Sequence, residues 1–185
     1  MPINATSYIW MDGALKPWRE ASIHVMTHAL HYGTSFFEGI RVYDTPEGPA
    51  AFRLKDHIDR LYDSAAIYGC AVPFEKQTIL NACDEVITSN KLFSAYLRPI
   101  VFYGYGDIAV APTPQTPVQV AIAAFPWGAY LGEEGRANGV DVCVSSWRRV
   151  APGTLPAAAK AGGNYLSGVL ISTEAKQRGF AEGIG

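Results

Sequence analysis

Charge is scarce in this chain of 185 residues: Asp, Glu, Lys and Arg make up 17% of it, against about 25% in an average globular domain. The 15 basic residues nearly balance the 17 acidic ones, no run of five or six like charges occurs, and the arginines are scattered. That removes the electrostatic footprint of a nucleic-acid binder. Cysteine is also rare. Cys70, Cys83 and Cys143 are odd in number and far apart, match no CxxC spacing and form no disulfide framework, so a reducing cytoplasm is the expected setting. Met1-Pro2-Ile3-Asn4-Ala5 has no basic segment leading into an apolar one, and no apolar run is long enough to cross a bilayer. Internal repeats and low-complexity tracts are missing. So are the P-loop, G-x-G-x-x-G and G-x-S-x-G patterns, which leaves phosphate recognition by a Walker or Rossmann turn unsupported.

Apolar residues are plentiful, at 49%, and they are patterned. Residues 8–18 read as a hairpin turning at Asp12-Gly13. Residues 35–43 read as a strand with Phe37, Gly39, Arg41 and Tyr43 on one face and Glu38, Ile40 and Val42 on the other. Residues 50–53 are its hairpin partner. From Leu54 the period changes: Leu54, Ile58, Leu61, Ala65 and Tyr68 form one helical stripe, which Gly69 is placed to end. A second helix is expected over about residues 75–90, with Ile79, Leu80, Cys83, Val86 and Ile87 inward. Residues 94–104 form a strand in which Tyr96, Arg98, Ile100 and Phe102 point one way. Pro99 inside it predicts an edge position or a bulge. Residues 118–124 are another strand, 125–132 a connector, 140–145 a short strand opening a new unit. Residues 164–178 read as a helix carrying Leu166, Val169, Leu170 and Thr173 on one side, closed by Gly179. Strands and helices without regular βαβ alternation predict an α+β fold. A small N-terminal antiparallel sheet with flanking helices occupies 1–124, and 133–185 begin a second domain.

The most informative stretch is Ala157-Ala158-Ala159-Lys160-Ala161-Gly162-Gly163-Asn164-Tyr165. A lysine among alanines and glycines is reachable by a flat molecule and has no carboxylate nearby in sequence to hold its proton, as an imine-forming amine requires. Arg60 lies in a polar stripe with His57 and Ser64 at the border of the first helix's apolar face. Two readings are open there: a guanidinium gripping a phosphate, or a surface ion pair with Asp56 or Asp63. Tyr96 with Arg98, and Phe37 with Gly39 and Arg41, make two rows that could wall a pocket apolar at one end and cationic at the other. Aromatic rows in strands are otherwise core. His24, His28 and His31 have helix-compatible spacing, but no acidic ligand falls between them and H-E-x-x-H is missing, which favours histidines satisfied by the fold over a metal site.

Five segments carry a family resemblance. His28-Ala29-Leu30-His31-Tyr32-Gly33-Thr34-Ser35-Phe36-Phe37-Glu38-Gly39-Ile40-Arg41 resembles the opening motif of the branched-chain amino acid aminotransferases, which are class IV, fold type IV pyridoxal-phosphate enzymes. His57-Ile58-Asp59-Arg60-Leu61, Tyr96-Leu97-Arg98-Pro99, residues 125–132 and residues 159–165 follow in family order and span nearly the whole chain. The motifs separate this subgroup less decisively from relatives of the same fold, the D-amino acid aminotransferases and aminodeoxychorismate lyases, which stand as the alternative within the fold.

The resemblance implies pyridoxal 5′-phosphate as cofactor, held by Lys160 as a Schiff base, with Lys160 also moving the proton during transamination. It implies that Arg60 binds the phosphate and Tyr165 the pyridoxal oxygen. Phe37, Trp127 and Tyr130 would be the apolar walls around a branched side chain. Tyr96 and Arg98 would form the polar side of the substrate site, with Gly39 leaving room; Arg41 joins the substrate-binding candidates from its place in the Phe37–Gly39–Arg41 row. Tyr32 and Val110 would reach into a neighbouring subunit's pocket, which makes a homodimer or higher homo-oligomer the active unit. The implied reaction passes the amino group of leucine, isoleucine or valine to 2-oxoglutarate by a ping-pong route. Family members continue beyond residue 185 to a glutamate that pairs with the pyridine nitrogen and to turns that hold the phosphate. The chain is thus expected to stop within its cofactor-binding α/β domain, and to be inactive as it stands. The alternative of a different class is a non-catalytic module that binds a small ligand or a partner chain.

Overall fold

The computed structural model describes residues 3–128 and 132–185. Among these described residues, nine strands and five α-helices occur in the order β1 (Tyr8–Met11), β2 (Ala14–Pro17), α1 (His28–Tyr32), β3 (Ser35–Phe37), β4 (Ile40–Thr45), β5 (Gly48–Ala51), α2 (Leu54–Ile67), α3 (Lys76–Ser89), β6 (Ala95–Tyr103), β7 (Val118–Phe125), α4 (Gly132–Asn138), β8 (Val142–Val144), α5 (Leu166–Gln177) and β9 (Glu182–Ile184). The first seven strands and their neighbours make the expected α+β architecture. An antiparallel sheet runs β2-β1-β7-β6-β4-β5, with β3 beside β6 in line with β4. The β1–β2 hairpin turns on Asp12 (φ 51°) and Gly13 (φ 101°), the two positive φ angles that a type I′ turn demands. Asp12 also ties the hairpin to β7, its carboxylate accepting the Val120 N–H (2.8 Å) and the Gln119 side-chain amide (2.8 Å).

One face of this sheet is covered by α2 and α3. Phe36, Ile40, Val42, Leu97, Val101, Val120 and Ile122 point inward from the strands, and Ile58, Leu61, Ala65, Ile79, Cys83 and Val86 meet them from the helices. The strand period of two and the helical stripe read from the sequence both follow from this single layer of contact. The opposite face is open. Ile9, Ile100, Ala121, Ala123 and Arg98 line a trough of about 340 Å³ there.

Two elements depart from the sequence reading. Pro99 lies at neither an edge nor a bulge, because β6 is interior, between β7 and the β3/β4 line. The register is unbroken across the gap between β3 and β4: Phe37 faces Ile100 and Ile40 faces Leu97. Glu38 therefore sits opposite Pro99 and donates its N–H to the Pro99 carbonyl (2.9 Å). The reciprocal bond is impossible for want of a proline N–H, and the strand that faces Pro99 is split into two. The second departure is α5. It is preceded by a 3-10 turn over Gly162–Tyr165, and it buries Ile171 and Ala175. The Leu166, Val169, Leu170 and Thr173 side faces outward, with Leu166 71% and Val169 61% exposed. β8 and β9 pair in parallel on the other side of α5. Among the described residues no helix is long and apolar enough to cross a membrane.

Candidate active site

The chain around Lys160 is fastened to the first sheet and its covering helix through its backbone. The Lys160 N–H donates to Ser64 Oγ on α2 (3.0 Å), and the Lys160 carbonyl accepts the Phe37 N–H of β3 (3.1 Å). Gly163 N–H donates to the Gly33 carbonyl (3.1 Å). A Cβ at Gly33 would collide with the Gly163 backbone, so this seam needs the glycines that the sequence supplies. Ala159 and Ala161 are buried in the main core, which is why small residues flank the lysine.

The amine itself is not free of bulky neighbours, as its sequence context suggests; the fold brings them. Lys160 Nζ donates to Tyr165 Oη (2.5 Å) and lies 4.6 Å from the Phe37 ring centre and 5.0 Å from that of Tyr165. It opens on a cavity of about 190 Å³ walled by Arg60, Arg149, Ala157, Ala158, Asn164 and Tyr165. Asn164 is buried. Its amide donates to the Pro156 and Ala159 carbonyls, while its Oδ1 has no partner.

Arg60 reaches the same cavity from α2. Neither Asp56 nor Asp63 holds it. Asp56 pairs with Arg53 (2.6 Å), and Arg60 pairs with Glu38, Nε to Oε1 at 2.6 Å and Nη2 to Oε2 at 2.7 Å. His57 Nδ1 adds a third bond to Glu38 Oε2 (2.9 Å). The Glu38 side chain is fully buried, in the inward row that otherwise holds Phe36, Ile40 and Val42. Burial pushes its carboxyl up, but the Arg60 and His57 hydrogen bonds outweigh that and hold it below its ordinary range. The Glu38 bonds in turn raise the Arg60 guanidinium.

A second cluster adjoins Phe37. The Arg98 guanidinium carbon lies 4.6 Å from the Phe37 ring centre, and Arg98 Nη2 donates to Tyr96 Oη (3.0 Å). Tyr96 stacks on Trp127, ring centres 5.3 Å apart. The space that a Cβ at Gly39 would take is filled by the Tyr96 phenol, whose oxygen it would overlap. Arg41 Nη1 donates to the Gly128 carbonyl (2.9 Å). The Nε atoms of Arg41 and Arg98 are buried without a partner, an arrangement that calls for an acceptor. Tyr32 and Val110 lie apart from both clusters, on the surface, where Tyr32 Oη donates to the Ile108 carbonyl (2.7 Å). Tyr130 is outside the described residues.

The three histidines act separately. His28 is buried between the Ala109 carbonyl (Nε2, 2.8 Å) and Thr34 Oγ1 (Nδ1, 2.7 Å). A carbonyl can only accept, so Nε2 donates to it. His31 bonds the Val25 carbonyl and His24 the Met26 N–H. Among the described residues no group of three or more His, Cys, Asp or Glu could hold a metal ion.

Arg149 and Glu38 are the functional candidates that sequence reasoning missed. Arg149 had no local signal. Glu38 had one, a charged residue in the buried row of a strand.

Residues 35–185 match the family described as amino-transferase class IV, and the chain belongs to it. Among its relatives, the branched-chain-amino-acid aminotransferase of Salmonella typhimurium (strain LT2) is 52% identical over 184 residues, covering 100% of this chain and 60% of that one. The crystal structure of the Escherichia coli branched-chain amino acid aminotransferase superposes with a TM-score of 0.96 at 51% identity, over 98% of this chain and 60% of that one. The T.th. branched-chain amino acid aminotransferase with pyridoxamine 5′-phosphate gives a TM-score of 0.92 at 44% identity, over 97% and 59%. The chain thus spans about three fifths of the length of these relatives.

Proposed function

We propose that this chain carries the lysine and substrate-side residues of a pyridoxal-phosphate-dependent branched-chain amino acid aminotransferase. The observation behind this reading is Lys160 Nζ, held 2.5 Å from Tyr165 Oη at the mouth of a cavity that Arg60 and Arg149 line. The donor set fits the cofactor. Two guanidiniums suit a phosphate, a phenol suits the pyridoxal oxygen, and an amine at the cavity mouth suits the aldehyde. When bound, the cofactor supplies an electron sink for the substrate's Cα.

The protein's own groups do the rest. Arg60 and Arg149 anchor the phosphate, Tyr165 orients the ring and Lys160 Nζ carries the proton to and from Cα. Arg98 and Arg41 meet the substrate's carboxylates with Tyr96, while Phe37 and Trp127 enclose the branched side chain of leucine, isoleucine or valine, and Tyr130 is assigned to the same role on the resemblance alone. Arginines at the rim of an apolar pocket let the same site take the 2-oxoglutarate side chain in the second half of a ping-pong cycle. One of the solved relatives holds pyridoxamine 5′-phosphate, the amino form such a cycle needs. In this reading 1–124 form the small domain, 125–132 the connector and 133–185 the start of the cofactor domain. Tyr32 and Val110, both surface residues, serve a second subunit of a homodimer or larger homo-oligomer, and three unpaired cysteines suit the cytoplasm.

Borohydride reduction in the presence of pyridoxal 5′-phosphate, followed by peptide mapping, tests the assignment. The pyridoxyl label is expected on Lys160 and absent from Lys160→Ala. A label on another lysine, or none, refutes it.

A further inference from the structure

A carboxylate has no packing reason to stand between β3 and β4 in line with their inward-facing residues. Burying one is costly unless it is paired and hydrogen-bonded, and Phe36, Ile40 and Val42 show what the row otherwise takes. Glu38 nevertheless sits there with no exposed surface, and both its oxygens are spent on α2: Oε1 on Arg60 Nε, Oε2 on Arg60 Nη2 and His57 Nδ1. Arg60 is the opposite case. Its side chain is 53% exposed, and a long arginine in that position samples many rotamers unless something holds it. The fork from Glu38 engages the Nε and Nη2 edge of the guanidinium. Of five N–H donors, the two on Nη1 and the second on Nη2 remain for an anion, and Arg60 lines the cavity beside Lys160 and Tyr165.

We propose that Glu38 is a positioning residue for the phosphate site: it fixes the guanidinium of Arg60 from behind, so that its free edge faces the cavity where Lys160 and Tyr165 lie. The inference rests on the reading of Arg60 as phosphate ligand. Glu38 itself touches no substrate or cofactor. A carboxylate placed behind the arginine lowers the local positive charge, so its contribution is geometric. It trades part of the arginine's attraction for a fixed direction, which favours a tetrahedral dianion at one distance over mobile small anions.

The test compares dissociation constants of the whole chain for pyridoxal 5′-phosphate and for pyridoxal, which lacks the phosphate, by fluorescence titration with circular dichroism as the folding check. In Glu38→Gln, whose shape is kept, the preference for the phosphorylated form is expected to fall by roughly tenfold or more, with pyridoxal binding and the spectrum unchanged. A purely structural role would weaken both ligands together. Arg60→Ala separates this inference from its foundation. If Arg60→Ala leaves the preference intact, the phosphate reading of Arg60 is wrong. If Arg60→Ala removes it and Glu38→Gln does not, only the positioning role is overturned. Should Glu38→Gln not fold, Arg60→Lys with Glu38 in place decides. An ammonium keeps the charge but cannot engage Glu38 and a phosphate with one planar fork, so the preference is expected to fall nearly as far as in Arg60→Ala, and its full retention overturns the proposal.

Discussion

At the scale of single residues, the candidate site divides into positions that sequence context announces and positions that only the fold assembles. Lys160 stands out because its neighbours are small, and the reason is visible in space: Ala159 and Ala161 are buried in the core and leave no volume for larger side chains. Phe37 and Tyr165, the rings beside its amine, are far from one another in sequence and meet at 4.9 Å only because the lysine loop docks on β3. Arg60 was legible as a candidate but not its partner, since Glu38 lies 22 residues away in the gap between β3 and β4. Replacing Arg60 by Ala should cost about 1.5–3 kcal/mol of cofactor affinity, the range for a charge-assisted contact, measured by equilibrium dialysis. An unchanged affinity would reduce Arg60 to a partner for Glu38. At Gly39 the expectation is steric. Gly39→Ala places a methyl where the Tyr96 oxygen sits, so the phenol must leave and the Arg98–Tyr96 bond with it. A loss of about 1–3 kcal/mol of stability is expected from such overpacking, and chemical denaturation would measure it.

Among elements, helices with a clear stripe were the easiest to foresee and the strand containing a proline the hardest. α2 and α3 each lie on a sheet, so their apolar residues recur with the helical period. Pro99 misled because its effect falls on the partner strand, where one ladder bond is missing opposite Glu38, and β6 itself stays whole. α5 has apolar residues on two sides, and only the Ile171 and Ala175 side is covered. Ile171→Ala should therefore cost roughly 2–5 kcal/mol, whereas Leu166→Gln should stay within about 0.5 kcal/mol. Thermal unfolding of both variants would read the difference, and equal effects would place the buried side wrongly. The junction of α2 and α3 depends on charge. Asp59 accepts from Lys55 (2.7 Å) and from Lys76 at the start of α3 (2.6 Å), and those two hydrogen bonds bring its carboxyl down to about 2. All three groups reach solvent, so the link should weaken with added salt.

For the whole molecule, acid is the informative stress. The Glu38 carboxyl is held below its unfolded range, so the stability that its ionised form confers is complete above the unfolded value of about 4.3 and is lost as the pH falls through the lower, folded one. The melting temperature of Glu38→Gln should lie below that of the parent at neutral pH, with the two curves converging below about pH 4. Curves that stay parallel down to about pH 2 would show that Glu38 makes no ionic contribution. The sequence period identified the α+β class and the antiparallel sheet with its covering helices, since both depend on patterns that repeat within a strand or a helix. It was silent on the parallel pairing of β8 with β9, because three-residue strands have too few side chains to show alternation.

The two backbone bonds at Lys160, one to α2 and one to β3, have a mechanical consequence. A pull on the chain beyond residue 160 would load these two bonds, and that of Gly163 to Gly33, before it reached the amine, so the Lys160 side chain takes its bearings from α2 and β3 and not from its neighbours in sequence.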